Sequence, residues 1–228
     1  MISRISNTAT LKEIESYLDL QYQFKHLYKP QIVINGMEES TVSVVTSQQR
    51  TIIQFGIWGI LPQGYNKEWR QFQKFENTLI TNFASLEQSH WLYDALKFRR
   101  CLVIITGYFN YYLDEKNLKP VYSSRASEKI LCLAGIYNQT EDGFLTFTIL
   151  TKTSNHFHTK TSFAPVAPII FSEREREFWI GNENSPKENL DFLEQLQPLY
   201  LEQYPVTTAI MGRGKKTMQM LQPLKNQP

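Results

Sequence analysis

The order of elements predicts an α+β fold: one domain with a twisted, mainly antiparallel, barrel-like sheet and flanking helices. Two observations predict the α+β class. Strand-like apolar runs follow one another with helical stretches inserted between groups of them, rather than in strict alternation. Neither an internal repeat nor a linker-like stretch divides the interior of the 228 residues, a length that suits one large domain. The barrel-like shape of the sheet comes from a likeness described below.

The first element is a helix over 10–20, TLKEIESYLDL, with Leu11, Ile14, Tyr17 and Leu18 on one face and Thr10 and Glu13 spaced as a capping box. Strand candidates follow at QIVING (31–36), TVSVVTS (41–47) and RTIIQFGIWGIL (50–61), the last broken by Pro62 and Gly64. Trp69, Phe72, Phe75 and Leu79 recur at helical spacing, as do Trp91, Leu92, Ala95 and Leu96. The second half is dominated by strands: CLVIITGYFNYYL, KPVYSS, KILCLAGIYN and FLTFTILTK. Asp142-Gly143 supplies a hairpin turn between the last two. After APVAPIIF, Ser172 with Glu175 suits a helix start, and Ser185-Pro186 opens a further helix with proline at its first position. The domain is assigned to 1–206. Residues 207–228, which carry Arg213, Lys215, Lys216 and Lys225 and no acid, read as a basic tail that is solvated or disordered.

Composition excludes more than it suggests. Hydrophobic residues make up 42%, enough for a sizeable core, and the formal charge of +2 points to no particular partner. Cys101 and Cys132 lie in apolar runs without metal-ligand spacing, which predicts buried free thiols and no metal or cofactor. His156 and His158 lack a third ligand nearby. The N-terminus has no apolar signal region, and the longest apolar run, CLVII, is too short to span a bilayer. These features lead to the expectation of a cytoplasmic monomer with no membrane partner.

Several blocks, taken in order, resemble the SOS response-associated peptidase (SRAP) family over roughly 1–206. They are MISR, KPQIVING, FGIWGILP, FRRCLVIITGYFNYY, LAGIYN, TFTILTKTSN and PVAPIIF. Family members carry MCGR, WGLIPSW, a NAR segment, RRCLIPxDGFYEW, TFxIxTTxAN and an RMPVIL segment preceded by histidine. The resemblance implies one α+β domain around a barrel-like antiparallel sheet that binds single-stranded DNA at abasic sites. It further implies that an N-terminal cysteine, exposed by loss of the initiator methionine, closes a thiazolidine on the sugar aldehyde. Glutamate and histidine move protons, an asparagine positions the site and arginines hold phosphates.

Carried across, the nucleophile position falls on Ile2, which cannot attack and whose bulk predicts that Met1 is retained. The glutamate falls on Asn110, an amide unable to take up a proton near neutral pH. The histidine falls on Ala164 or Thr161, with His158 reached only by a slip, and the arginine of RMP on Val166. The NAR segment falls on Ile80-Thr81-Asn82, or on Asn82 with Ala84 after a two-residue shift, and the second tryptophan of WGLIPSW on Gly64. Retained are Arg4, Trp58, Gly59, Pro62, Arg99, Arg100, Cys101, Gly107 and Asn155.

The implied reading is a SRAP-like protein without its catalytic chemistry that still binds single-stranded or abasic DNA. The candidate contacts are Arg4, Trp58, Pro62, Asn82, Arg99, Arg100, Tyr108, Phe109 and Asn110. A plainer reading puts Trp58 and Phe109 in the core and Arg99 and Arg100 at a helix end. The alternative function is a scaffold that binds a protein or a small apolar ligand. An N-terminal amine alone retains Schiff-base chemistry with an aldehyde.

Overall fold

The computed structural model describes residues 2–153, 166–197 and 199–224. The described chain runs in order through β1 (Arg4–Asn7), α1 (Leu11–Leu18), β2 (Gln21–Tyr22), β3 (Gln31–Asn35), β4 (Thr41–Thr46) and β5 (Gln49–Trp58). It continues through α2 (Trp69–Phe75), β6 (Ile80–Asn82), α3 (His90–Phe98), β7 (Arg100–Ile105), β8 (Gly107–Asp114), β9 (Asn117–Ser124), β10 (Leu131–Gln139) and β11 (Leu145–Thr153). The last elements are β12 (Val166–Pro168), β13 (Ile170–Phe171), α4 (Glu173–Ile180), α5 (Pro186–Gln195) and β14 (Glu202–Pro205).

Two sheets form. The smaller has the order β14-β9-β8-β1-β3, with every pairing antiparallel. In the larger, β5, β4, β7, β10 and β11 pair in turn, and a parallel pairing of β11 with β5 closes the ring. The sheet is therefore barrel-like and mainly antiparallel, and short parallel strands β2 and β6 flank it.

Alternation along the ring sets its two faces. Cys101, Val103 and Ile105 of β7, Leu131, Leu133 and Tyr137 of β10, and Phe147 and Ile149 of β11 enter one core. The intervening Leu102, Ile104, Cys132, Ala134 and Ile136 enter another, under Ile14 of α1, Leu92 and Leu96 of α3, Trp179 of α4 and Leu193 of α5. The first core also takes Ile5, Ile34 and Tyr108 from the smaller sheet, so the two sheets share it.

The apolar run CLVIITGYFNYY splits at Thr106: CLVII belongs to the ring and GYFNYY to the smaller sheet. The crossing is held by hydrogen bonds. The Thr106 amide donates to Ser6 O at 2.8 Å, the Thr8 amide donates to Thr106 Oγ1 at 3.0 Å, and Asn7 Nδ2 donates to Ile104 O at 3.1 Å. Gly107 is required by close approach. A Cβ there would lie 2.3 Å from the Tyr122 hydroxyl, which sits 2.7 Å from Ser6 Oγ.

The predicted capping box forms at Thr10/Glu13, the helix starts expected at Ser172 and Ser185 prove to be capping boxes with Glu175 and Glu188, and Gly143 turns the β10–β11 hairpin at φ 84°. The helix expected at 66–79 is shorter, because the chain leaves it at Phe75 and Asn77 Oδ1 turns the Leu79 amide toward β6. The segment read as a solvated tail is exposed along most of its length but is anchored at a few points as far as Leu224. Ile210 and Leu221 are buried against Phe109 and Tyr122 on the smaller sheet, and the Leu224 amide donates to Pro205 O at 3.0 Å.

Arg100 joins the helical layer to the ring. Its guanidinium is 1% exposed and donates to Leu96 O and Lys97 O at the end of α3 and to Trp179 O and Gly181 O at the end of α4. It thereby satisfies carbonyls that a helix end leaves unpaired. Arg100→Leu leaves those carbonyls buried without donors and is expected to cost about 2–4 kcal/mol, read from urea unfolding.

The capping carboxylates set an acid limit. The Lys129 ammonium, with the Thr10 amide and hydroxyl, holds Glu13 at about 2, and hydrogen bonds from Ser185 hold Glu188 below its usual range. Both groups bind protons more weakly in the folded chain than when unfolded. Their contribution is complete above the ordinary value of 4.5 and is lost as pH falls toward 2. Melting temperatures are expected to drop over that interval, and less steeply at high salt because both carboxylates face solvent.

Candidate functional site

The N-terminal strand lies inside the smaller sheet, between β8 and β3, with Ile5 opposite Tyr108 and Ser6 opposite Gly107. The Gly36 amide donates to Ser3 O at 2.9 Å and pins the start of the chain. Residue 2 is thereby delivered to the core shared by the two sheets. Ile2 is 0% exposed and belongs to the same cluster as Trp58, Ile105 and Tyr108. At the position where the resemblance expects a nucleophile stands a packed side chain without lone pairs.

Asn110 sits on β8 opposite Val121 of β9. The residue is partly buried, and its Nδ2 is shielded from solvent with no acceptor within hydrogen-bond reach among the described residues. An amide at this position donates hydrogen bonds and cannot relay a proton. Val166, at the start of β12 opposite Thr153, and Ile80, on β6 opposite Ile149, are apolar and partly buried. Asn155, His156, His158, Thr161 and Ala164 lie outside the described residues.

Few of the candidate DNA contacts offer what a strand would use. Trp58 is 0% exposed and its indole N–H donates to Leu79 O at 2.8 Å; Tyr108 is 1% and Phe109 0% exposed. These rings are filled on both faces by core packing, so no base can stack on them. Arg100 is spent on the helix ends described above. Arg99 is partly buried, with Nε on Asn138 Oδ1 at 2.8 Å and the other arm on the Asp94 carboxylate. The plainer reading of the sequence therefore holds for Trp58, Phe109 and Arg100. Asn82 closes β6, and its Oδ1 accepts from the Ala84 amide at 3.1 Å to cap the turn that follows. Arg4 and Pro62 keep partial exposure, and Arg4 Nη1 donates to the Tyr111 hydroxyl at 3.0 Å.

No thiol is poised for attack. Cys101 and Cys132 are free and buried; burial pushes Cys132 up to about 11, even with Arg176 Nη1 at 3.6 Å, and pushes Cys101 higher. Among the described residues no three His, Cys, Asp or Glu side chains converge as a metal site, and no helix is long and apolar enough to cross a membrane.

Two concave surfaces lie away from Ile2 and Asn110. One, of about 860 Å³, lies between α1 and residues 125–130 and includes Lys12, Tyr17 and Glu128. The other, of about 250 Å³, lies beneath the C-terminal segment and includes Thr8, Arg125, Lys129 and Tyr204. Sequence reasoning missed both, because these residues come from distant stretches and belong to no motif.

The family model described as SOS response associated peptidase (SRAP) matches residues 1–212. An abasic site processing protein of Saccharomyces cerevisiae is 31% identical over 117 residues, which is 51% of this chain and 31% of that protein. The matched stretch thus spans less than a third of that relative's length. Three solved structures share the fold. One from Bacteroides thetaiotaomicron gives a TM-score of 0.83 at 20% identity, over 97% of this chain and 99% of that one. Two from Bordetella bronchiseptica follow. The first gives 0.69 at 15% identity, over 90% and 99%; the second, a phage-related protein, gives 0.64 at 14%, over 90% and 93%.

The burial of Ile2 has a direct consequence. Ile2→Ala is expected to lower unfolding free energy by about 2–5 kcal/mol, as a core truncation does. A change near zero in denaturant unfolding would show that residue 2 faces an open site instead.

Proposed function

The chain belongs to the SRAP family, and on that premise we propose that it is a non-crosslinking member that contacts single-stranded DNA without covalent chemistry. The observation that carries this reading is the complete burial of Ile2 at the nucleophile position. Two others support it. Asn110 replaces a proton carrier with an amide, and both cysteines are buried thiols with raised pKa values. Without a thiol at position 2 or a carboxylate at position 110, an abasic aldehyde lacks the two groups that the family likeness assigns to closing a thiazolidine.

Strand contact on this reading is modest. It rests on Arg4 for a phosphate and on the partly exposed Pro62 and Asn82. With the aromatic candidates buried, affinity is mainly electrostatic and falls steeply with salt. A second reading, a scaffold for a small apolar ligand or protein, is favoured by the apolar Ile80 and Val166 at neighbouring family positions.

The test is incubation with a single-stranded oligonucleotide carrying one abasic site, followed by mass spectrometry with and without borohydride, and a mobility shift at low salt. The expected outcome is no adduct, with a salt-sensitive shift that Arg4→Ala weakens several-fold. An adduct at the amino end sinks the non-crosslinking assignment. Absence of any shift at low salt removes the DNA contact and leaves the scaffold reading.

A further inference from the structure

The smaller cleft combines features that the family likeness does not account for. Three of its walls, Met218, Leu221 and Gln222, come from beyond residue 212, where the family match ends. This C-terminal segment is fixed in place. Leu221 is 5% exposed in the cluster with Phe109 and Tyr122, and Lys216 Nζ reaches Ala209 O at 2.7 Å. The described walls of the cleft are therefore preformed.

Its charge is one-sided. Arg125 and Lys129 are the charged residues that line it, and no acidic residue does. Both cations also line the larger concavity, together with their ion-pair partners Glu128 and Glu13. The Arg125 side chain is 31% and the Lys129 side chain 49% exposed, so an incoming anion competes with these carboxylates for both cations. Beside them the cleft sets the hydroxyls of Thr8 and Ser124, the ring of Tyr204 and the apolar side chains of Met218 and Leu221. Two cations with hydroxyls select an anion; a tyrosine ring and two aliphatic side chains select a flat apolar body. A volume of about 250 Å³ is at the small end for ligand sites and suits a single ring with one charged substituent.

We propose that this cleft is a binding site for a small aromatic anion, one ring bearing a phosphate or carboxylate, with Arg125 and Lys129 as its charge partners. The ring packs between Tyr204 and the Met218 and Leu221 side chains. The site is separate from Ile2 and Asn110 and stands independently of the DNA reading.

Phenyl phosphate is the probe, with benzyl alcohol and inorganic phosphate as counterparts that lack the charge or the ring, titrated into the full chain by calorimetry without DNA. Saturable binding of phenyl phosphate with a Kd of about 1 mM or tighter is expected, with both counterparts much weaker. Lys129→Ala is expected to weaken it about tenfold, the loss of one charge-assisted hydrogen bond. Because that change also breaks the pair with Glu13, Met218→Trp is the second variant. Met218 is 54% exposed, so the larger ring fills the cleft without disturbing the core and abolishes binding at unchanged melting temperature. No saturation, or an affinity unchanged in both variants, overturns the site. Inorganic phosphate binding as tightly as phenyl phosphate overturns the assignment of an aromatic ligand.

Discussion

The molecule depends on the passage of the chain from one sheet to the other at Thr106 and Gly107. There β7 of the closed ring becomes β8 of the smaller sheet, and Ser6, Thr8 and Asn7 of the N-terminal segment hydrogen-bond across the step. The step is possible because Gly107 has no side chain, which lets the Tyr122 ring close over it and its hydroxyl reach Ser6. Everything near the family site hangs from this junction. It holds β1 inside the smaller sheet, and that position sends residue 2 into the core between the sheets.

Such a junction is indifferent to what residue 2 is, provided that it packs. An isoleucine there removes lone pairs and adds apolar volume to a cluster of Trp58, Ile105 and Tyr108. Framework residues retained from the family pattern have structural tasks that outlast the chemistry. Trp58 ties β5 to the strand at Leu79, Arg100 closes two helix ends, and Gly107 admits Tyr122. A fold can thus keep its shape while its titratable groups are exchanged, because the groups that hold the shape and those that move protons are different residues.

The C-terminal segment adds a second layer. The family model matches as far as residue 212, and Leu221 beyond that point buries itself on Phe109 and Tyr122. The outer face of the smaller sheet is covered by the chain itself, and the cover creates a cleft on its flank. Binding capacity on this fold therefore need not lie where the family's chemistry lies.

Much of the architecture was legible in the one-dimensional pattern. Capping boxes at Thr10, Ser172 and Ser185 and the turn at Gly143 are local, set by residues three or four apart, and period-two alternation placed Cys101 and Val103 on one face and Leu102 on the other. The identities of positions 2 and 110 were likewise visible, since an alkyl group has no lone pair and an amide takes up no proton near neutral pH. Burial was not visible. Whether Arg100 meets solvent or four carbonyls, and whether Tyr108 and Phe109 offer a face or fill a core, depends on partners as distant in the chain as Gly181 for Arg100, Ile2 for Tyr108 and Leu221 for Phe109. The same holds for the C-terminal segment, whose polar composition suggested solvent while Ile210 and Leu221 found the smaller sheet. Sequence fixes which groups a residue can offer; only the packing of distant strands decides whether anything can reach them.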